Sequence, residues 1–136
     1  MKFNGKKFLE VGYHLENFSK EEEYQRSAIG RYYYAAFLMA RDFYVKNLNR
    51  KLPRHESHKK LIKHFKKSKR EEKIIIGKKL EKLRTSRNDA DYINRDINME
   101  DVEKSRTTSE EIIDSIEKLW GVKKNEWIKI RARSSH

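Results

Sequence analysis

The chain has 136 residues, 36% of them hydrophobic and 40% charged, with a formal net charge of +12. That length allows one modest core and not two, and seven Tyr, six Phe and two Trp argue against a disordered chain. Without cysteine there is neither a disulfide framework nor a thiolate metal site, and no run is apolar enough to span a membrane, so a single domain in the cytoplasm is expected.

One proline and five glycines interrupt the sequence, which predicts long helices and little sheet. The first helix is read from Gly5 to Phe18, with Phe8, Val11, Leu15 and Phe18 at spacings of three and four as its apolar stripe. Ser19 is then placed to cap a second helix, with Glu22 completing a capping box and Glu21 to Glu23 opposing the helix dipole. This second helix is expected from about Lys20 to Arg50 and to be the most buried element. Its small residues Gly30, Ala35, Ala36 and Ala40 would let neighbours come close, and Tyr32, Tyr33 and Tyr34 read as packing residues.

Pro53 ends that helix, and Ser57 starts a short basic third one reaching to about Ser68. A fourth helix is predicted from about Arg70 to Asn94, with Ile75, Ile76, Leu80, Leu83 and Ala90 inward. The fifth runs from Met99 to Trp120 and stops at Gly121, which suits the left-handed position after a helix. In the tail beyond it, Trp127, Ile128 and Ile130 would pack back or mediate association.

The positive charge is concentrated. From Lys51 to Arg87 there are 15 Lys and Arg against four Glu, whereas Asp96 to Lys118 carries eight acids and three bases. Such segregation makes a directional field that draws in polyanions. The run His58 to Arg70 has only three large apolar residues, which disfavours a membrane surface. Nucleic acid is therefore the expected partner, RNA before DNA, with Lys59, Lys60, Lys63, Lys66, Lys67, Lys69, Arg70 and Arg84 as binding candidates. A DNA-binding regulator is the weaker reading, since no helix-turn-helix spacing is evident.

The common catalytic signatures are absent: there is no phosphate loop, GxSxG, HExxH or calcium loop. His55 and His58, three apart, would form a metal pair only with further ligands. A capping or phosphate-contacting role fits them better, and neither metal nor cofactor is expected. His14 and His64 are expected to face solvent. The segment LRTSRNDADY, Leu83 to Tyr92, sets Arg84, Arg87, Asn88 and Asp91 on one side of the fourth helix. Such a stripe faces a partner or a groove, or is no more than an Arg87 to Asp91 surface pair.

Two motifs taken together resemble a known family. RSAIGRYYYAAFLMARDFY, Arg26 to Tyr44, is followed about forty residues later by LRTSRNDADY. The pair resembles the HEPN superfamily, in which a helix of the type RSAxxRxYYAAF accompanies a later one carrying RNxxxH or RNxADY. The resemblance covers about residues 8 to 120. It implies an all-α, up-and-down bundle of four to five helices over residues 1–121, a tail over 122–136, and a homodimer with the motifs at a shared cleft.

Many such proteins are metal-independent endoribonucleases of toxin-antitoxin or phage-defence systems. On that likeness the catalytic candidates are Arg87, Asn88, Asp91 and Tyr92, but the motif histidine is missing and Asp91 and Tyr92 stand in its place. Asp91 would be a weaker base than imidazole at neutral pH, or would orient Arg87 and leave binding without turnover. Tyr92 would donate to phosphate, serve as a modification target as in relatives paired with a nucleotidyltransferase, or pack. The alternative function is a non-catalytic regulatory subunit that docks on a nucleotidyltransferase, an antitoxin or another defence partner.

Overall fold

A computed structural model describes residues 5–92 and 96–121. It contains α1 (Gly5–Phe18), α2 (Glu22–Asp42), a π-helical turn (Phe43–Asn47), α3 (Ser57–Lys66), α4 (Glu71–Tyr92) and α5 (Met99–Trp120). The expected tail, with Trp127, Ile128 and Ile130, lies outside the described residues, as do residues 93–95, where the fourth helix was expected to end.

The five expected helices are present in order and form an all-α bundle. Pairings across the bundle fix their directions. Gln25 reaches the end of α1 and Arg26 the end of α4, while Ser109 on α5 donates to the Tyr32 carbonyl. Helices α1, α2, α4 and α5 thus alternate in direction. Helix α3 lies against α4, its Phe65 beside Phe43 and its His58 beside Tyr33.

Helix α2 is the centre because it buries residues around most of its girth. Ala28, Ile29, Tyr32, Tyr33, Ala35, Ala36 and Ala40 are all lost to solvent, and the alanines let α1, α4 and α5 approach its backbone. Gly30 has no such role, since nothing would meet a side chain there. Close approach depends instead on Gly12, where a Cβ would lie 2.5 Å from the Tyr32 ring, and on Gly77, where it would lie 2.6 Å from the Lys66 backbone nitrogen.

Gly12, with Gly5 against the Ala35 carbonyl, explains why α1 buries a different face from the expected stripe. Gly5, Leu9, Gly12 and Tyr13 point inward, Phe8 and Leu15 are half-buried, and Val11 and Phe18 are exposed. The face that fits closest wins over the face with more side-chain carbon, because packing contacts fall off steeply with distance. Ile75 on α4 is likewise exposed, not inward.

Helix α2 also ends earlier than expected. Leu48 donates to the Phe43 carbonyl, a π-type bond, and Asn49 takes a left-handed conformation with φ 51°, which asparagine tolerates better than most residues. The chain has left the helix before Pro53.

Two caps differ from the sequence reading. Ser19 accepts from the Glu21 amide at 3.1 Å, but Glu21 is the N-cap and makes no side-chain cap. Glu22 turns away to accept from the Ile97 amide at 2.8 Å and from Arg26 at 3.0 Å. The true capping box belongs to α5: Asn98 accepts from the Asp101 amide, and the Asp101 carboxylate accepts from the Asn98 amide.

Candidate nucleic-acid interface

Helices α3 and α4 run side by side and leave a groove of about 540 Å³ between them. Its walls carry Lys59, Lys63, Lys66 and Lys67 from α3, and Glu81, Arg84, Thr85 and Asn88 from α4. These are successive turns of both helices, so the sequence spacing that put lysines at 59, 63, 66 and 67 makes one basic wall. Lys66 is neutralised in place, with both Glu81 carboxylate oxygens 2.9 Å from its Nζ. Arg84 is different, because its Nε is buried without a hydrogen-bond partner.

The remaining binding candidates divide. Lys60 faces a shallower depression of about 410 Å³ on the other flank of α3, shared with Lys63, Lys67, Tyr44 and His64. Lys69 and Arg70 lie exposed in the turn before α4 and line neither hollow, and Arg70 sits 3.6 Å from Glu72. Part of the acidic bias of α5 is spent inside the protein or in ion pairs. Glu110 and Glu117 are buried, accepting from Tyr13 and Lys6, and Glu111 pairs with Lys79.

Next to the groove lies an aromatic platform made by Tyr33, Tyr34 and Phe37 of α2. The Arg87 guanidinium stands 4.8 Å from the Tyr34 ring centroid and 5.7 Å from that of Tyr33, within cation–π range. Its Nε donates to Asp91 Oδ2 at 3.1 Å. The Arg84, Arg87, Asn88 and Asp91 stripe therefore splits into two rows: Arg84 and Asn88 face the groove, while Asp91 holds Arg87 over the tyrosines. Tyr92 belongs to neither row and is 77% exposed, which rules out the packing role for it.

The motif lacks its histidine, and a histidine from another helix lies near the two arginines. His58, in the first turn of α3, stacks on Phe37 at 3.9 Å and 11°. Its Nδ1 lies 2.5 Å from the Tyr33 hydroxyl. Burial first, and then Arg84 and Arg87, lower its pKa to about 4, so the ring is uncharged at neutral pH. Burial likewise pushes the Tyr33 phenol above its ordinary range, partly offset by the same two arginines.

The two paired histidines thus part company: His55 is exposed, and among the described residues no three His, Asp or Glu side chains could hold a metal ion together. His14 is exposed as expected. His64 is not: it packs edge-on to Tyr44 and Phe65, its Nε2 is buried without a partner, and burial lowers its pKa, then Lys73 and Arg50. Charged sequence neighbours made it look solvated, yet on a helix they point elsewhere.

What keeps the second motif in place is Arg26, the first residue of the other motif. Its guanidinium donates to the Ala90 carbonyl at 2.7 Å and to Asp89 at 3.4 Å, satisfying carbonyls at the end of α4. The same side chain pairs with Glu22. One motif thus ends the helix that presents the other.

The family model for the HEPN domain matches residues 6–120. The chain belongs to the HEPN family. That match spans all five helices and includes both motifs. No curated protein and no solved structure matches the chain. No helix among the described residues is long and apolar enough to cross a membrane.

Proposed function

We propose that this HEPN protein binds RNA along the groove between α3 and α4 and cleaves it without a metal, as a homodimer. The single observation that carries the binding is the groove itself, walled by Lys59, Lys63, Lys67 and Arg84, cations that no carboxylate among the described residues pairs with. A polynucleotide backbone offers the acceptors that these groups lack.

In-line cleavage needs charge stabilisation at phosphorus, a base for the 2′-hydroxyl and a proton for the leaving oxygen. Arg84 and Arg87 supply the first, the Asp91 carboxylate takes the 2′-hydroxyl proton, and water protonates the leaving oxygen. The exposed Tyr92 and Met99 lie where the bundle presents the end of α4 and the start of α5, and a second copy covering them would bring two such motifs together. A toxin or phage-defence setting follows for this HEPN protein if cleavage is confirmed.

The test is anisotropy with mixed-sequence single-stranded RNA, followed by incubation in chelator. Tight binding that weakens steeply with salt, about tenfold poorer for Arg84→Ala, supports the groove. Fragments ending in 2′,3′-cyclic phosphate, lost in Arg87→Ala with helicity intact, support cleavage. Equal affinity of Arg84→Ala removes the groove, and a monomer in analytical ultracentrifugation removes the shared cleft.

One observation favours a second reading, a non-catalytic subunit that docks on a nucleotidyltransferase or antitoxin. Asp91, in the position of the motif histidine, is engaged with Arg87. Salt-dependent RNA binding with no cyclic-phosphate product would select it.

A further inference from the structure

Tyr33 and His58 are joined through Nδ1, and the direction of that hydrogen bond decides what His58 can do. Burial keeps the phenol protonated at neutral pH. Among the described residues the hydroxyl has no other partner than His58. It therefore donates to Nδ1, which leaves the ring's single proton on Nε2. Nε2 has no hydrogen bond among the described residues.

We propose that His58 is a third anion donor beside Arg84 and Arg87, its Nε2–H directed to a phosphate oxygen of the bound RNA and its tautomer fixed by Tyr33. The inference rests on the RNA-binding reading of the groove and gives it a specific phosphate position. His58 reaches that position from a helix remote from the arginine motif in sequence. Stacking on Phe37 fixes the plane of the ring, and Tyr33 fixes its rotation about the stacking axis. The charged and titratable groups that face the ring are Tyr33 and Tyr34 on α2 and Arg84 and Arg87 on α4.

An uncharged donor suits this place. With two guanidinium groups nearby a third cation would be repelled, whereas a neutral N–H adds a directed hydrogen bond with little such cost. His58 also stands in the first turn of α3, where the N-cap Glu56 makes no side-chain hydrogen bond to the leading amides. In this role His58 positions phosphate and does not take the 2′-hydroxyl proton, because the nitrogen with the free lone pair is already occupied by Tyr33.

The full chain, labelled with ¹⁵N in histidine, tests this at pH 7.5. Long-range ¹H–¹⁵N spectra should give the Nε2–H tautomer for His58, and adding inorganic phosphate should move its Nε2 resonance while leaving that of exposed His14 in place. In Tyr33→Phe the two tautomers should mix. For RNA, His58→Ala should bind about tenfold more weakly, and His58→Gln, whose amide can place an N–H near the Nε2 position, should recover most of that loss.

An Nδ1–H tautomer, or a phosphate titration that leaves Nε2 unmoved, would overturn the proposal. So would His58→Gln binding as poorly as His58→Ala with both melting like wild type. If wild type binds no RNA, the groove reading fails by itself, and the phosphate titration still decides the role of His58.

Discussion

Tyr32 and Tyr33 are neighbours in sequence, equally buried, and turned about 100° apart around α2. They open onto different kinds of surroundings. The Tyr32 hydroxyl donates to Glu16, which also accepts from Arg106 at 2.5 Å, and beside them Tyr13 donates to Glu110. On that side of the bundle, between α1, α2 and α5, each of these cations and hydroxyls meets a carboxylate. On the Tyr33 side, one carboxylate, Asp91, serves Arg87, and among the described residues no carboxylate meets Arg84, whose Nε, like that of Arg106 on the other side, is buried without a partner. The contrast lies in charge: on the first side a carboxylate answers each named cation, and on the second the arginines outnumber the carboxylates that meet them, which is the balance that attracts a polyanion.

The largest effects should come from two glycines that bring helices together, one on each side. Alanine at Gly12 drives a methyl into the Tyr32 ring, and alanine at Gly77 drives one into the Lys66 backbone. Each should cost about 1–3 kcal/mol by overpacking, read as a lower midpoint in urea. Only Gly77→Ala should also weaken RNA binding, because it pushes α3 from α4. Equal RNA affinity in both variants would erase the distinction between the sides.

Next in size, Arg106→Ala should destabilise by about 1–2 kcal/mol, since Glu16 loses a charged partner in a half-buried place. RNA affinity should remain within about twofold. A large loss of binding would mean that the Tyr32 side also contacts the ligand.

Acid should separate the two sides further. The folded His58 titrates near 4 and the unfolded residue near its ordinary 6.5. Between these values the unfolded chain holds a proton that the folded one does not, so stability is full above about pH 6.5 and falls as pH drops toward 4. His64, shifted in the same direction, adds to the fall. Melting temperature should decline less steeply from pH 7 to 4.5 in His58→Gln than in wild type, and parallel curves would contradict the burial of that ring. The smallest effect belongs to Lys69→Ala, outside both hollows, which should change RNA affinity by less than about twofold.

The order of the helices and several of their ends were legible because their signals are local. Ser57, Met99 and Gly121 mark ends that the backbone respects, and Gly121 takes the left-handed φ of 78°. The inward face of α1 was not legible. Periodicity weighs side-chain carbon, whereas Gly5 and Gly12 act through its absence, and their effect depends on Met39, Ala35 and Tyr32 in another helix. The end of α2 was missed because Asn49, with no proline or glycine beside it, turns the chain.

At the site, the sequence displayed the Arg84 and Arg87 stripe and the lysines of α3, since spacing alone aligns them. It also offered the Arg87 to Asp91 pair as an alternative, and that pair is formed. The link between Tyr33 and His58 spans 25 residues and has no spacing rule, so His58 read as a capping or phosphate-contacting residue with no visible tie to the arginines. The only signal was its place in the first turn of a basic helix.

The Arg26 clamp has a further consequence for motion. One guanidinium holds the last carbonyls of α4, while its Glu22 partner holds the Ile97 amide ahead of α5. Three helix ends therefore cannot fray one at a time, and their amides should exchange with deuterium as a single cooperative unit, released together when that side chain lets go.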